Sequence, residues 1–356
     1  MLSSETRNIK RILAGINYCG IDRIYQQLGS ELGLILTMHH VNPDPVPEFA
    51  PNAHLTIHPA FLEAAIEMLA KRGFDFVSLD EAAERIENGN PNLNRFAAFT
   101  FDDGYKDTLE YAVPVLRKFD VPYTIYLAPA LNESTALLWW ESIESLIRSQ
   151  DGFVLNIPGS RSGPREVRCS TLREKYEAFS FLRDYLTQQV PEDEQDGVVR
   201  ELCWLYKIDC DASTRGQIID WPETHSMLKD PNCTFGAHSL SHRALARLSG
   251  QRAHEEIVSG VEVMTAELGT KPLHFAYPYG YEEAASSREF KLTRDLGFKT
   301  AVTTRPGMIF PAHKHHLTAL PRISINGLFQ HMRYFSPLTT GLPTLVRNRF
   351  KQVNFG

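Results

Sequence analysis

The sequence alternates short apolar runs rich in β-branched and aromatic residues with stretches carrying an apolar stripe at three- and four-residue spacing. Strands buried on both faces read as continuous apolar runs, and helices that cover them read as one-sided stripes, so this alternation specifies an α/β fold with a mainly parallel sheet. Strands are expected at Leu34–Met38, Phe74–Ser78, Ala97–Phe101, Tyr123–Leu127, Cys233–Gly236, His274–Ala276, Lys299–Thr303 and Arg322–Ser324. Helices are expected near 59–72, 79–87, 107–119, 251–268 and 285–296; Phe61, Ala64, Ala65, Met68 and Leu69 form the stripe of the first.

The alternation breaks at about 138–220, where 153–169 reads as a hairpin and 171–207 as two charged helices. No Pro-, Gly- or Ser-rich linker marks either boundary, which favours an insertion over a separate small domain. The organisation expected is an N-terminal helical extension over 1–32, one barrel over 33–335 with that insertion, and a basic tail over 336–356 carrying Arg347, Arg349 and Lys351. The tail suits a surface segment or a weak membrane-surface contact.

The formal charge of -6 argues against a non-specific nucleic-acid binder, which needs a basic surplus. Five cysteines without a C-x-x-C pair read as reduced thiols. The first twenty residues lack the continuous apolar core of a signal peptide, and no run is apolar enough to span a bilayer, so a cytoplasmic location is expected.

Three strand ends carry chemistry. FAAFTF runs directly into Asp102, Asp103 and Gly104. Adjacent carboxylates resist joint ionisation unless a cation or proton intervenes. If Asp103 holds a cation, Asp102 is free to take a proton from water, the division of labour that metal-assisted hydrolysis requires. A D-D-G run alone equally suits a turn with a helix N-cap. In GAHSLSH, His238 and His242 have the spacing of neighbours on one helical turn and follow a strand. With 13 histidines, a chance H-x-x-x-H is expected about once in every two such chains, and His54 with His58 is an example lacking a preceding strand. That second pair reads as a surface or helix-start feature. The third motif is FAYPYG, 275–280.

TFDDGY, HSLSH and FAYPYG in this order resemble the polysaccharide deacetylases of the nodulation-protein-B homology type, chitooligosaccharide deacetylases among them, with weaker similarity at LTMHHV (36–41), LLWWES (137–142), DWPE (220–223) and ALPRIS (319–324). The resemblance implies a distorted (β/α)7 barrel and hydrolysis of N-acetyl groups on an N-acetylglucosamine-containing oligomer or polymer, releasing acetate. It implies that Asp103, His238 and His242 bind one divalent cation, Zn2+ first, with Co2+, Ni2+ or Mn2+ compatible with such a mixed set. Asp102 is then the base, the Tyr279 backbone N–H holds the oxyanion, and Tyr105 and Trp140 join it toward the substrate. A non-catalytic carbohydrate-binding protein and an amide hydrolase of non-sugar substrates are the other functions compatible with this pattern.

Two positions depart from the family. Where many members carry an arginine that tethers the catalytic aspartate, this chain has Ala276, and Arg322 is the candidate to orient Asp102. No C-terminal Leu-rich motif ending in His is evident, and His313, His315 and His316 read as an exposed loop. The proton for the leaving amine is therefore expected from His39. Of Trp139 and Trp140, one is expected to face substrate, since flat aromatic faces match the apolar face of a pyranose.

Overall fold

Apolar runs buried on both faces leave their backbone groups only one another to bond to, and here they close into a ring. The computed structural model describes residues 4–20, 30–89, 94–157 and 163–354. Seven strands form the ring: β1 (Gly33–Met38), β2 (Phe96–Phe101), β3 (Tyr123–Leu127), β4 (Cys233–Ala237), β5 (His274–Ala276), β6 (Thr300–Pro306) and β7 (Leu320–Ser324). Every neighbouring pair is parallel, and β1 closes the barrel by pairing β2 on one side and β7 on the other, with Met38 beside Phe101 and Leu36 beside Ile323. The architecture is the (β/α)7 barrel the motifs implied. The run at 74–78 is not part of the ring; only Asp75–Phe76 pairs, on the outer edge of β2.

Inside the ring, Ile35, Ala98, Tyr126, Ala276, Val302 and Leu320 fill the core. Gly236 is needed there, because a Cβ would collide with the Tyr126 ring. Helix α1 (Ser4–Tyr18) precedes the barrel; a second apolar layer lies between the barrel and outer helices such as α2 (Pro59–Lys71), whereas α3 (Leu79–Asn88) joins the ring's own core through Leu79, Ala82 and Ile86. The helix expected over 107–119 begins as a π-turn, Thr108–Ala112, before α4 (Val113–Lys118). Pro114 has no N–H to give the regular ladder, which accounts for the wider turn before it.

The insertion has its own apolar cluster, built around Trp139, Trp140, Phe179, Leu182 and Leu202. It comprises α5 (Trp139–Ser149), an antiparallel hairpin pairing Gly152–Leu155 with Arg165–Arg168, α6 (Leu172–Gln188) and α7 (Gln195–Leu205). Barrel helix α8 (Gly250–Leu268) follows β4, and α9 (Ser287–Asp295) follows β5. Part of the stretch expected as a surface tail is packed: α10 (Met332–Leu338), which runs into it, and α11 (Leu342–Arg347) bury Pro337 and Leu345, and Arg72 of the α2 C-cap donates to the Ser336 carbonyl at 2.9 Å. Asn17 of α1 donates to the Ser336 hydroxyl. Among the described residues no helix is long and apolar enough to cross a membrane.

Candidate active site

Parallel barrels present the residues just beyond their strand C-termini at one end, and the motifs meet there. Asp102 and Asp103 follow β2, His238 and His242 follow β4, Tyr279 follows β5, His39 follows β1, and Arg322 lies within β7. Asp103, His242 and Tyr279 have left-handed backbone, with φ of 70°, 57° and 60°. Such conformations cost about 1–3 kcal/mol each for residues with a Cβ and persist where surrounding structure fixes them. Behind Tyr279, Gly280 also has positive φ, and a Cβ on it would meet the Thr304 amide at 2.5 Å.

Asp102 is 2% exposed and accepts two bonds from the Arg322 guanidinium, 2.7 Å to Oδ1 and 2.6 Å to Oδ2. Arg322 is itself 1% exposed and also donates to the Thr100 hydroxyl and the Thr303 carbonyl, both at 2.9 Å. The register between β6 and β7 slips between Val302 and Pro306, a bulge that brings the Thr303 carbonyl to Arg322. Burial pushes the Asp102 pKa up, but the Arg322 charge and its hydrogen bonds outweigh burial and hold it below the usual carboxylate range. Thr37 adds a weak bond to Oδ2 at 3.3 Å.

Asp103 turns the other way. Its Oδ1 stands 3.4 Å from His238 Nε2 and 3.2 Å from His242 Nε2, yet this buried atom accepts no well-formed hydrogen bond. Burial opposes its ionisation, and the imidazoles of His242 and His238 overcome that, so its pKa falls well below the ordinary value. His238 Nδ1 is 2.7 Å from the Ala276 carbonyl, which makes it the protonated nitrogen and turns the Nε2 side toward Asp103. One ligand atom from each of the three residues falls within 4.8 Å of the others, all three buried. An oxyanion without a hydrogen bond, an imidazole fixed in the metal-binding tautomer and a mixed N/O donor set fit one divalent cation. Neither aspartate caps the following helix.

His39 Nε2 lies 4.0 Å from Asp102 Oδ2, at the edge of the same cavity. Burial lowers its pKa against the opposing pull of Asp103 and Asp102. The cavity encloses about 530 Å3 and opens onto His39, Asp102, Asp103, His238, His242 and Tyr279. Among the described residues, no hydrogen bond to protein engages the Tyr279 N–H, whereas the Tyr279 carbonyl accepts from Thr304.

Several expectations change. Tyr105 is fully buried and absent from the cavity wall; its ring lies 3.5 Å from that of His40, and its hydroxyl accepts from Trp140 Nε1 at 3.0 Å. It supports Trp140 from behind the cavity wall. Trp139 and Trp140 are only 5% and 7% exposed, so neither presents an open face. Each contributes an edge to the cavity, pinned through its indole N–H: Trp139 to the Tyr279 hydroxyl at 2.8 Å, Trp140 to Tyr105. His58 caps α2 through Nδ1, but His54 lines the cavity mouth. His313 is buried, with burial lowering its pKa to about 4, and His315 and His316 line a different cleft. Sequence reasoning missed the far wall, which α6 supplies through Tyr176, Phe179 and Arg183. Their spacing is that of an ordinary amphipathic helix and carries no sign of a ligand.

A model of the polysaccharide deacetylase family matches residues 89–152 and 199–301, passing over the hairpin and α6 and including neither His39 nor Arg322. No curated protein matches the chain by sequence. Among solved structures, the deacetylase PplD of Streptococcus pyogenes, in complex with acetate, is similar with TM-score 0.57 and 19% identity over 87% of this chain and 98% of that one. IcaB from Ammonifex degensii gives 0.53 and 15% over 87% and 97%, and the polysaccharide deacetylase BC0361 from Bacillus cereus gives 0.51 and 15% over 86% and 68%. At these identities the structures testify to a shared fold.

Proposed function

Because the chain belongs to the polysaccharide deacetylase family, we propose that it hydrolyses N-acetyl groups of N-acetylglucosamine-containing oligo- or polysaccharide and releases acetate. The observation that carries this reading is the pairing of an arginine-held, ionised Asp102 with the buried Asp103, His238, His242 cluster on one cavity wall. Asp103, His238 and His242 would hold one divalent cation, with Zn2+ the first choice for such donors. When bound, the cation supplies Lewis-acid polarisation and makes water easier to deprotonate.

The chain's own residues do the rest. Asp102, kept anionic by Arg322, accepts a proton from the attacking water. The Tyr279 N–H donates to the oxygen that gains charge as the carbonyl carbon becomes tetrahedral, an interaction of the kind worth several kcal/mol. His39 delivers a proton to the amide nitrogen as the C–N bond breaks, leaving a free amine and acetate. Trp139, Trp140 and Tyr279 provide apolar edges against a sugar ring.

The test is acetate release from chito-oligosaccharides, peptidoglycan fragments and small amides, each with chelator and after returning Zn2+. Chelator-sensitive release from the sugars is expected. Release from small amides alone would move the reading to a non-sugar amide hydrolase, and sugar binding by zinc-loaded protein without any acetate would make it a carbohydrate-binding protein.

A further inference from the structure

The two histidines of the cluster are held differently. His238 is oriented by a hydrogen bond from its own ring to the Ala276 carbonyl, whereas His242 Nδ1 is buried without a hydrogen-bond partner. Apart from its Nε2 facing Asp103, the His242 ring packs against the rings of Trp140, Tyr279 and His238, with centroids 5.2, 4.8 and 4.9 Å away. Its orientation therefore depends on its left-handed backbone, and the residues that follow it are fastened from outside the barrel.

Arg243, 9% exposed, makes two bonds to the Asp196 carboxylate, 3.2 and 2.9 Å. The Ala244 N–H donates to Glu192 Oε2 at 3.1 Å, and Arg247 pairs with Glu192 Oε1 at 2.8 Å and donates to the Val190 and Thr187 carbonyls. Every one of these partners lies in the insertion. On the barrel side, Glu256 of α8 holds Ser241 through its N–H and hydroxyl.

We infer that Asp196 and Arg243 are positioning residues for His242, and that the insertion acts as a clamp setting the geometry of the cation site. This rests on the cation-binding reading of Asp103, His238 and His242 proposed above. A ligand lacking the usual ring hydrogen bond needs its direction supplied through the chain, and a bidentate, partly buried pair one residue away supplies it.

The test is the Zn2+ affinity of purified wild type, Asp196→Asn, Arg243→Met and the double variant, read by competition with a chromophoric chelator, with the visible spectrum of the Co2+ forms beside it. Each single variant is expected to weaken affinity about tenfold or more and alter the Co2+ spectrum, and the double variant to lose little beyond either single, because the pair acts as a unit. Arg200→Met, which breaks the Arg200–Asp211 pair elsewhere in the insertion, is the control and should leave affinity unchanged. Asp196→Asn preserves volume and decides the matter if Arg243→Met does not fold. Affinities within about twofold of wild type in the folded variants, or an equal loss in Arg200→Met, overturn the clamp. A wild type that binds no Zn2+ overturns the site reading itself and the clamp with it.

Discussion

Arg322 grips both carboxylate oxygens of Asp102 with its two terminal nitrogens, at 2.7 and 2.6 Å, inside a barrel wall where neither residue is more than 2% exposed. Removing one partner of such a buried pair strands the other charge. Arg322→Met should destabilise the protein by about 3–5 kcal/mol. Arg322→Lys keeps the charge but not the fork, and should lower acetate release on the order of 100-fold while leaving Zn2+ affinity near wild type. Unfolding curves and metal titration beside kcat check both halves.

Asp103→Ala takes away the oxygen on which His238 and His242 converge. Loss of bound metal and of activity together is the expected outcome, measured by elemental analysis after dialysis. Retention of one equivalent of zinc would remove Asp103 from the ligand set.

His39→Gln should keep the metal and lower turnover by about 10²–10⁴, the range for one acid–base group. Burial sets the His39 pKa below 6.5, and an acid must be protonated to act. In wild type the rate attributable to His39 should therefore be greatest below that lowered pKa and fall as pH rises through it. A pH–rate profile whose alkaline limb is unchanged in His39→Gln would sink the assignment.

His313 gives a stability prediction. Its Nδ1 accepts from the Phe310 N–H at 3.0 Å, and its side chain is fully buried and neutral. The folded pKa of about 4 lies below an unfolded value of about 6.5, so the unfolded state binds the proton more tightly. Stability from this residue is complete above about pH 6.5 and is lost as pH falls toward 4, amounting to roughly 3 kcal/mol. Urea unfolding at pH 7 and pH 4.5 should show a smaller difference in His313→Gln than in wild type.

What could be read in advance was what the chain encodes locally. Tyr123–Leu127 and His274–Ala276 have the expected bounds because a buried parallel strand is an unbroken apolar run, and Asp102, Asp103, His238 and His242 stand out because each follows such a run. Arg322 was legible through Ala276: an aspartate left without its usual arginine needs another cation. The wall formed by α6 was not legible, since a stripe containing Tyr176 and Phe179 looks the same whether it meets core or cavity. That Tyr105 stands behind Trp140 and off the cavity wall was hidden for a related reason. Their mutual hydrogen bond joins a strand end to the insertion, and nothing in either segment announces the other. The same holds for the Asp196–Arg243 pair and for His313, whose burial is decided by packing against distant elements.

The seam where β1 meets β7 has a consequence for the order of events during synthesis. His39 follows the first barrel strand and Arg322 sits in the last, so the guanidinium that holds Asp102 joins the site only when the two strands pair, Leu36 against Ile323 and Thr37 against Ser324. The aspartates and histidines emerge earlier in translation, yet a nascent chain ending before residue 320 has no guanidinium to hold Asp102. The arginine grip on Asp102 is thereby tied to ring closure.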